Sequence, residues 1–146
     1  MKALVVFDSN LGNTKIIAET IAKELGEDAK AISSSDLNIK DLKGIDLIVA
    51  GSPIIGWKPS EKMYKFLSDL NRDQLKGIKA ASFDTRVKLF IHGDAMNKIS
   101  EKLKNAGAEI IVKPQAFFVQ GKETVLAGGE IEKAAEWAKT IKTKFE

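Results

Sequence analysis

Ser9-Asn10-Leu11-Gly12-Asn13-Thr14 is the segment with the most chemistry per residue. Two hydroxyls and two side-chain amides surround a glycine, so neutral donors and a closely approachable backbone are gathered in six residues. The apolar run Ala3–Phe7 ends just before it, and a helical pattern, Ile16-Ile17 to Leu25, begins just after it. A strand-to-helix junction also presents the unpaired N–H groups of the first helical turn, which attract anions. The composition suits one terminal phosphate. Ser and Asn are favoured at helix starts for their own sake as well, and a plain helix cap is the competing use of the same residues.

Two further segments lie at expected strand ends. Gly51-Ser52-Pro53-Ile54-Ile55-Gly56-Trp57 combines apolar side chains with flexible backbone in a stretch expected at the surface. An aromatic beside a glycine suits a flat ring system, through stacking and through a carbonyl that turns to meet different protonation states. The alternative is that Trp57 packs on the following helix. Asp84-Thr85-Arg86 forms the third segment, in which Asp84 either bonds a ligand or caps a turn. His92, the single histidine, precedes a helix, where a capping or solvent-facing role outweighs a ligand contact.

Other nucleotide motifs do not fit. No G-x-G-x-x-G follows the first strand, and although Gly51 and Gly56 have Walker spacing, Trp57-Lys58 stands where Lys-Ser or Lys-Thr is required. Cysteine is absent and histidine occurs once, which leaves no disulfide framework, no thiol nucleophile and a poor prospect of zinc.

These segments need a scaffold that brings strand ends together. Short apolar runs alternate with amphipathic stretches along the chain: strands are expected at Ala3–Phe7, Ala29–Ile32, Ile45–Ala50, Lys79–Phe83 and Glu109–Val112, the last resuming at Phe117–Val119. Helices are expected at Asn13–Leu25, Ser60–Leu70, Asp94–Ala106 and Glu130–Lys144, with Gly26 and Gly107 closing two of them and Ser60 opening another. Continuous apolar strands are buried on both faces, which predicts an α/β architecture, a five-stranded parallel sheet with helices on both faces. Ligands in such sheets bind beyond the carboxyl ends of the strands, near the point where strand order reverses. The apolar stripe Ile131, Ala134, Trp137, Ala138 and Ile141 places Trp137 in the core.

The 146 residues fit one domain spanning 1–146, with 44% hydrophobic and 29% charged residues as in ordinary globular proteins. No apolar stretch approaches the ~20 residues that span a bilayer, and the start of the chain lacks a signal-peptide layout, so no membrane association and a cytoplasmic location are expected. The net charge of +3 comes from 23 basic and 20 acidic residues scattered along helices, which gives no support for nucleic acid binding. The lysines of the last helix read as a solvated face.

The chain resembles the flavodoxin family over almost its whole length. The first loop is similar to Ser/Thr-x-Thr-Gly-x-Thr through Ser9, Gly12 and Thr14; Gly51-Ser52-Pro53, Phe83-Asp84-Thr85-Arg86 and Gly128-Gly129-Glu130 extend the likeness. The resemblance implies a flavodoxin-like doubly wound sandwich that binds FMN and carries electrons between redox enzymes. It implies that Ser9 to Thr14 hold the phosphate, that the segment Ser52, Pro53, Ile54, Ile55, Gly56 and Trp57 binds the cofactor with Ile55 and Trp57 flanking the flavin, and that Asp84, Thr85 and Arg86 approach its pyrimidine side. A Gly56–Trp57 peptide that turns over on reduction, presenting its carbonyl to flavin N5, is likewise implied. Three departures stand out: Leu11 occupies a hydroxyl position, the third segment lacks the aromatic that often covers the ring, and the pI is near 9.0 where the family is typically acidic. The basic balance predicts partners with an acidic docking surface, and a monomer is expected. The rival readings are a small FMN-dependent NAD(P)H:quinone oxidoreductase and a flavodoxin-like interaction module without FMN.

Overall fold

A computed structural model gives the fold and describes residues 1–88, 93–120 and 125–146. His92 lies outside the described residues. The strands are β1 (Ala3–Phe7), β2 (Ala29–Ser33), β3 (Leu47–Ile55), β4 (Lys58–Pro59), β5 (Lys79–Val87), β6 (Glu109–Ile110), β7 (Gln115–Gln120) and β8 (Val125–Leu126). The α-helices are α1 (Asn13–Leu25), α2 (Glu61–Ser68), α3 (Met96–Asn105) and α4 (Glu130–Phe145), with a short 3₁₀ turn at Ile39–Leu42.

Strand order is β2-β1-β3-β5-β7 with all four of these pairings parallel, and β6 pairs with β5 upstream of β7. The fifth strand position is thus filled by β6 and β7 in succession, as the interrupted apolar pattern predicts. Two antiparallel additions, β4 on β3 and β8 on β7, were not foreseen.

Alternate strand residues feed two separate cores. Val5, Leu47, Val49, Ala81 and Phe83 pack against Ile17, Ile21 and Leu25 of α1 and Trp137 and Ile141 of α4. Leu4, Val6, Ile48 and Ala80 pack against Met63 and Leu67 of α2 and Ile99 and Leu103 of α3. Each fully buried large aliphatic side chain contributes roughly 1.5–3 kcal/mol relative to exposure, which explains why strands without polar alternation settle only between two helical layers. Trp137 is buried edge-on to Phe83 and Phe117, the core role its helical stripe predicts. Lys133 is not simply solvated: it pairs with Glu130 and lies over the Phe118 ring.

The connections β1-α1-β2 and β3-α2-β5 leave the sheet on opposite faces, so strand order reverses between the neighbouring strands β1 and β3. The sequence-predicted site segments lie at the carboxyl ends of β1, β3 and β5, around that point.

Candidate functional site

β1 stops at Phe7, where Asp8 donates its N–H to the Gly51 carbonyl of β3 and the chain turns away from the sheet. Ser9 Oγ then accepts the Gly12 N–H at 3.0 Å, folding the loop back, and Gly12 takes φ 94° to start α1. A left-handed φ is nearly free for glycine and costly for residues with a Cβ. The start of α1 has no side-chain cap and no acidic residue in its first turn. By contrast α2 is capped by Ser60 Oγ on the Met63 N–H, and α3 by carboxylates, as described below. The expectation of a plain cap at Ser9–Thr14 is therefore not what the fold uses: no side chain caps the positive end of the α1 dipole.

Behind this loop, Thr14 and Thr85 face each other across the switch point with their hydroxyl oxygens 2.9 Å apart. Only one hydrogen is used in that contact, so the pair retains an O–H to donate elsewhere. Asn10, Leu11, Asn13, Thr14, Pro53, Thr85 and Val119 together line a small cleft. Three of the predicted segments thus meet at one place, and Val119 of β7 joins them.

The second and third segments are not loops for most of their length. β3 continues through Ile55 because Ser52 and Pro53 pair in parallel with Asp84 and Thr85, and β5 continues to Val87 by pairing with β7. Pro53 is tolerated because β1 ends opposite Gly51, leaving that side of β3 without a partner strand. Gly56 and Trp57 form the two-residue turn between β3 and β4, with φ of 59° and 70°. Two consecutive positive φ values are the mark of a type I′ hairpin, usually Asn-Gly or Gly-Gly. Trp57 is the one non-glycine residue with positive φ among those described, a strain on the order of 1–3 kcal/mol for a bulky side chain.

The strain persists because the turn is held from outside. The Trp57 carbonyl accepts the Asp94 N–H at 3.1 Å and Lys98 Nζ at 3.3 Å. Gly93 lies so close that a Cβ there would fall 2.2 Å from the Trp57 Cα. Gly93, Asp94 and Lys98 are supports that sequence reading missed; a Gly-Asp step before a helix signals a turn, but no pattern announces the lysine. Gly93→Ala is expected to displace the turn, lowering stability by about 1–3 kcal/mol. Thermal melting reads that loss.

Leu11 is 54% exposed, Ile55 44% and Trp57 59%. Packing of Trp57 on α2 is thereby corrected, since most of the indole faces outward. Ile54 instead turns partly into the core of the α2 and α3 face.

Two side chains expected to approach a ligand turn inward. Ser52 is fully buried, donating to the Pro53 carbonyl and accepting the Ser60 N–H, which ties β3 to the start of α2. Asp84, also 0% exposed, accepts Nε of Arg86 at 2.9 Å and Nη2 at 2.5 Å, together with the Met96 and Ala95 N–H groups of α3 at 2.9 and 3.3 Å. Its oxygens satisfy one helix terminus and one guanidinium, so the capping alternative is the one realised. Hydrogen bonding to Asp84 raises the Arg86 pKa; burial opposes this, and the charges of Asp84 and Asp94 add to it. A raised folded pKa means that this stabilisation is complete throughout ordinary pH and is lost only above the arginine range.

Comparison with known proteins decides the family. The model of the flavodoxin domain matches residues 4–126 of the chain. The chain belongs to the flavodoxin family. A flavodoxin from Clostridium beijerinckii is 29% identical over 117 residues, covering 75% of this chain and 81% of that protein. One from Maridesulfovibrio salexigens is 31% identical over 122 residues, with 75% and 81% covered. A solved flavodoxin from the domain Archaea superimposes with a TM-score of 0.82 at 25% identity over 99% of both chains. Flavodoxins carry FMN and transfer electrons to redox partner proteins, and the doubly wound fold expected from the sequence is theirs. No helix among the described residues is long and apolar enough to cross a membrane.

Proposed function

We propose that this flavodoxin-family chain is a single FMN-binding domain that acts as a monomeric, cytoplasmic electron carrier between larger redox proteins. The observation that carries the reading is the uncapped start of α1 beside the cleft that Asn10, Leu11, Thr14, Pro53 and Thr85 line, with Ile55 and Trp57 exposed at the end of the neighbouring strand β3. FMN supplies the one-electron chemistry; the protein binds, orients and tunes it. Ser9, Asn10, Gly12, Asn13 and Thr14 hold the phosphate through hydroxyls, amides and backbone N–H groups, with Leu11 contributing backbone only. Thr85 supports Thr14 from β5. Ile55 and Trp57 flank the ring, and the Gly56–Trp57 peptide lies beside it. Ser52, Asp84 and Arg86 act from behind, by holding the strands and α3.

The test is the visible absorption spectrum of the purified protein with added FMN: a stoichiometric bound-flavin spectrum is expected, and a chain that takes up none sinks the reading. Charge tuning provides a second measurement. Arg86 is neutralised by Asp84, whereas Lys98 brings a positive charge to the Trp57 carbonyl. A positive charge favours the reduced, anionic flavin, so Lys98→Gln should lower the midpoint of full reduction by on the order of 50 mV. An unchanged or raised midpoint would contradict the assignment of Lys98 as a tuning charge.

A further inference from the structure

We infer that the face formed by β4, α2 and α3 beside Trp57 docks a redox protein carrying a carboxylate-rich surface. This rests on the electron-carrier reading and specifies where and how the carrier is met.

From Lys58 to Ser68 and from Met96 to Asn105 the chain carries Lys58, Lys62, Lys65, Lys98, Lys102 and Lys104 against only Glu61 and Glu101. That surplus of four positive charges exceeds the whole-chain surplus of three, so the rest of the chain is slightly acidic and the basic character is concentrated here. Among the described residues, none of these lysines lies within 4.0 Å of a carboxylate; the ion pairs found are Arg86 with Asp84 and Asp94, Lys133 with Glu130, and Lys139 with Glu136. Asp94, the nearest acid to the turn, is occupied by Asn97 and Arg86.

The lysines are organised around aromatic surface. Lys58 and Lys102 approach the half-exposed ring of Tyr64 from two elements, with Nζ 6.0 and 4.9 Å from its centre. One helical turn from Lys102, Lys98 reaches the carbonyl of the exposed Trp57. An aromatic centre ringed by unpaired cations is the composition of an interface that gains specificity and association rate from charge and contact area from rings. Its continuity with Trp57 places a docked protein against the edge of the flavin crevice, the position an electron donor or acceptor needs. That adjacency favours a protein over a lipid surface.

The test is calorimetric titration of the chain with a small acidic iron–sulfur protein, which needs no flavin turnover. Binding should weaken as salt rises, and Lys58→Glu combined with Lys102→Glu should weaken it roughly tenfold or more at low ionic strength. Lys139→Glu combined with Lys144→Glu makes the same change in net charge on α4, across the sheet, and should alter binding less than about threefold. Equal weakening by both pairs, salt-independent binding, or no binding of the acidic protein overturns the docking face, as does retention on phosphatidylserine vesicles without a response to the acidic protein. Flavin uptake is read separately from the absorption spectrum, so failure of the FMN reading and failure of this one give different results.

Discussion

Asp84→Ala is expected to cost about 3–5 kcal/mol of stability, the largest loss from any single substitution considered, measured as a fall in the urea midpoint at unchanged slope. The reason is the number of groups that one carboxylate satisfies. Removing it takes the bidentate partner from the buried Arg86 guanidinium, which keeps its longer contact with Asp94, and uncaps the first N–H groups of α3 together. Adding Arg86→Met should restore much of the loss, because the buried cation goes with its main partner, while the missing helix cap keeps about 0.5–2 kcal/mol. A single substitution costing under about 1 kcal/mol would show that the ion pair and cap are not the joint they are described as. The effect reaches function through position: α3 begins where Gly93 and Asp94 press on the Trp57 turn, so Asp84→Ala should also loosen flavin binding. Asp84 is buried, yet it holds the helix start that presses on the Trp57 turn.

The sequence was most readable where one force decides. Continuous apolar runs flanked by Gly, Ser and Asn place β1, α1 and α4 within a residue of their observed ends, because burial on both faces leaves no competing arrangement for Val5 or Ile17. The same reading stopped β3 at Ala50 and β5 at Phe83. Polar and turn-forming residues follow there, Ser52 and Pro53 in one and Asp84 to Arg86 in the other, and local propensity argues for loops. Parallel pairing between those two segments overrides it, an effect that no single-strand pattern contains.

The site divides in the same way. Ser9 to Thr14 is contiguous in sequence, and its place as a strand-to-helix junction beside the cleft follows from composition. Asp84 was readable as important but not as to purpose, since a carboxylate that caps a helix and one that meets a ligand look alike until its partners are known. Lys98 was invisible because its role depends on a turn 41 residues away. Trp57 shows the opposite case: an aromatic at a position where a type I′ turn favours Gly or Asn breaks a local rule, and the break marks the crevice.

Asn10→Asp is expected to lower FMN affinity on the order of 100-fold, about 3 kcal/mol, while leaving riboflavin affinity within about threefold of wild type. Asn10 is exposed and lines the cleft at the start of α1, so a carboxylate there costs little desolvation in the free protein. The cost appears only when a doubly charged phosphate enters beside it. A negative charge near the same helix terminus also favours the free chain by about 0.3–1 kcal/mol through the peptide dipoles, so the thermal midpoint without flavin should hold steady or rise. Affinity and stability therefore move in opposite directions, which misfolding cannot imitate. Parallel losses of FMN and riboflavin would place the phosphate elsewhere, away from the uncapped start of α1.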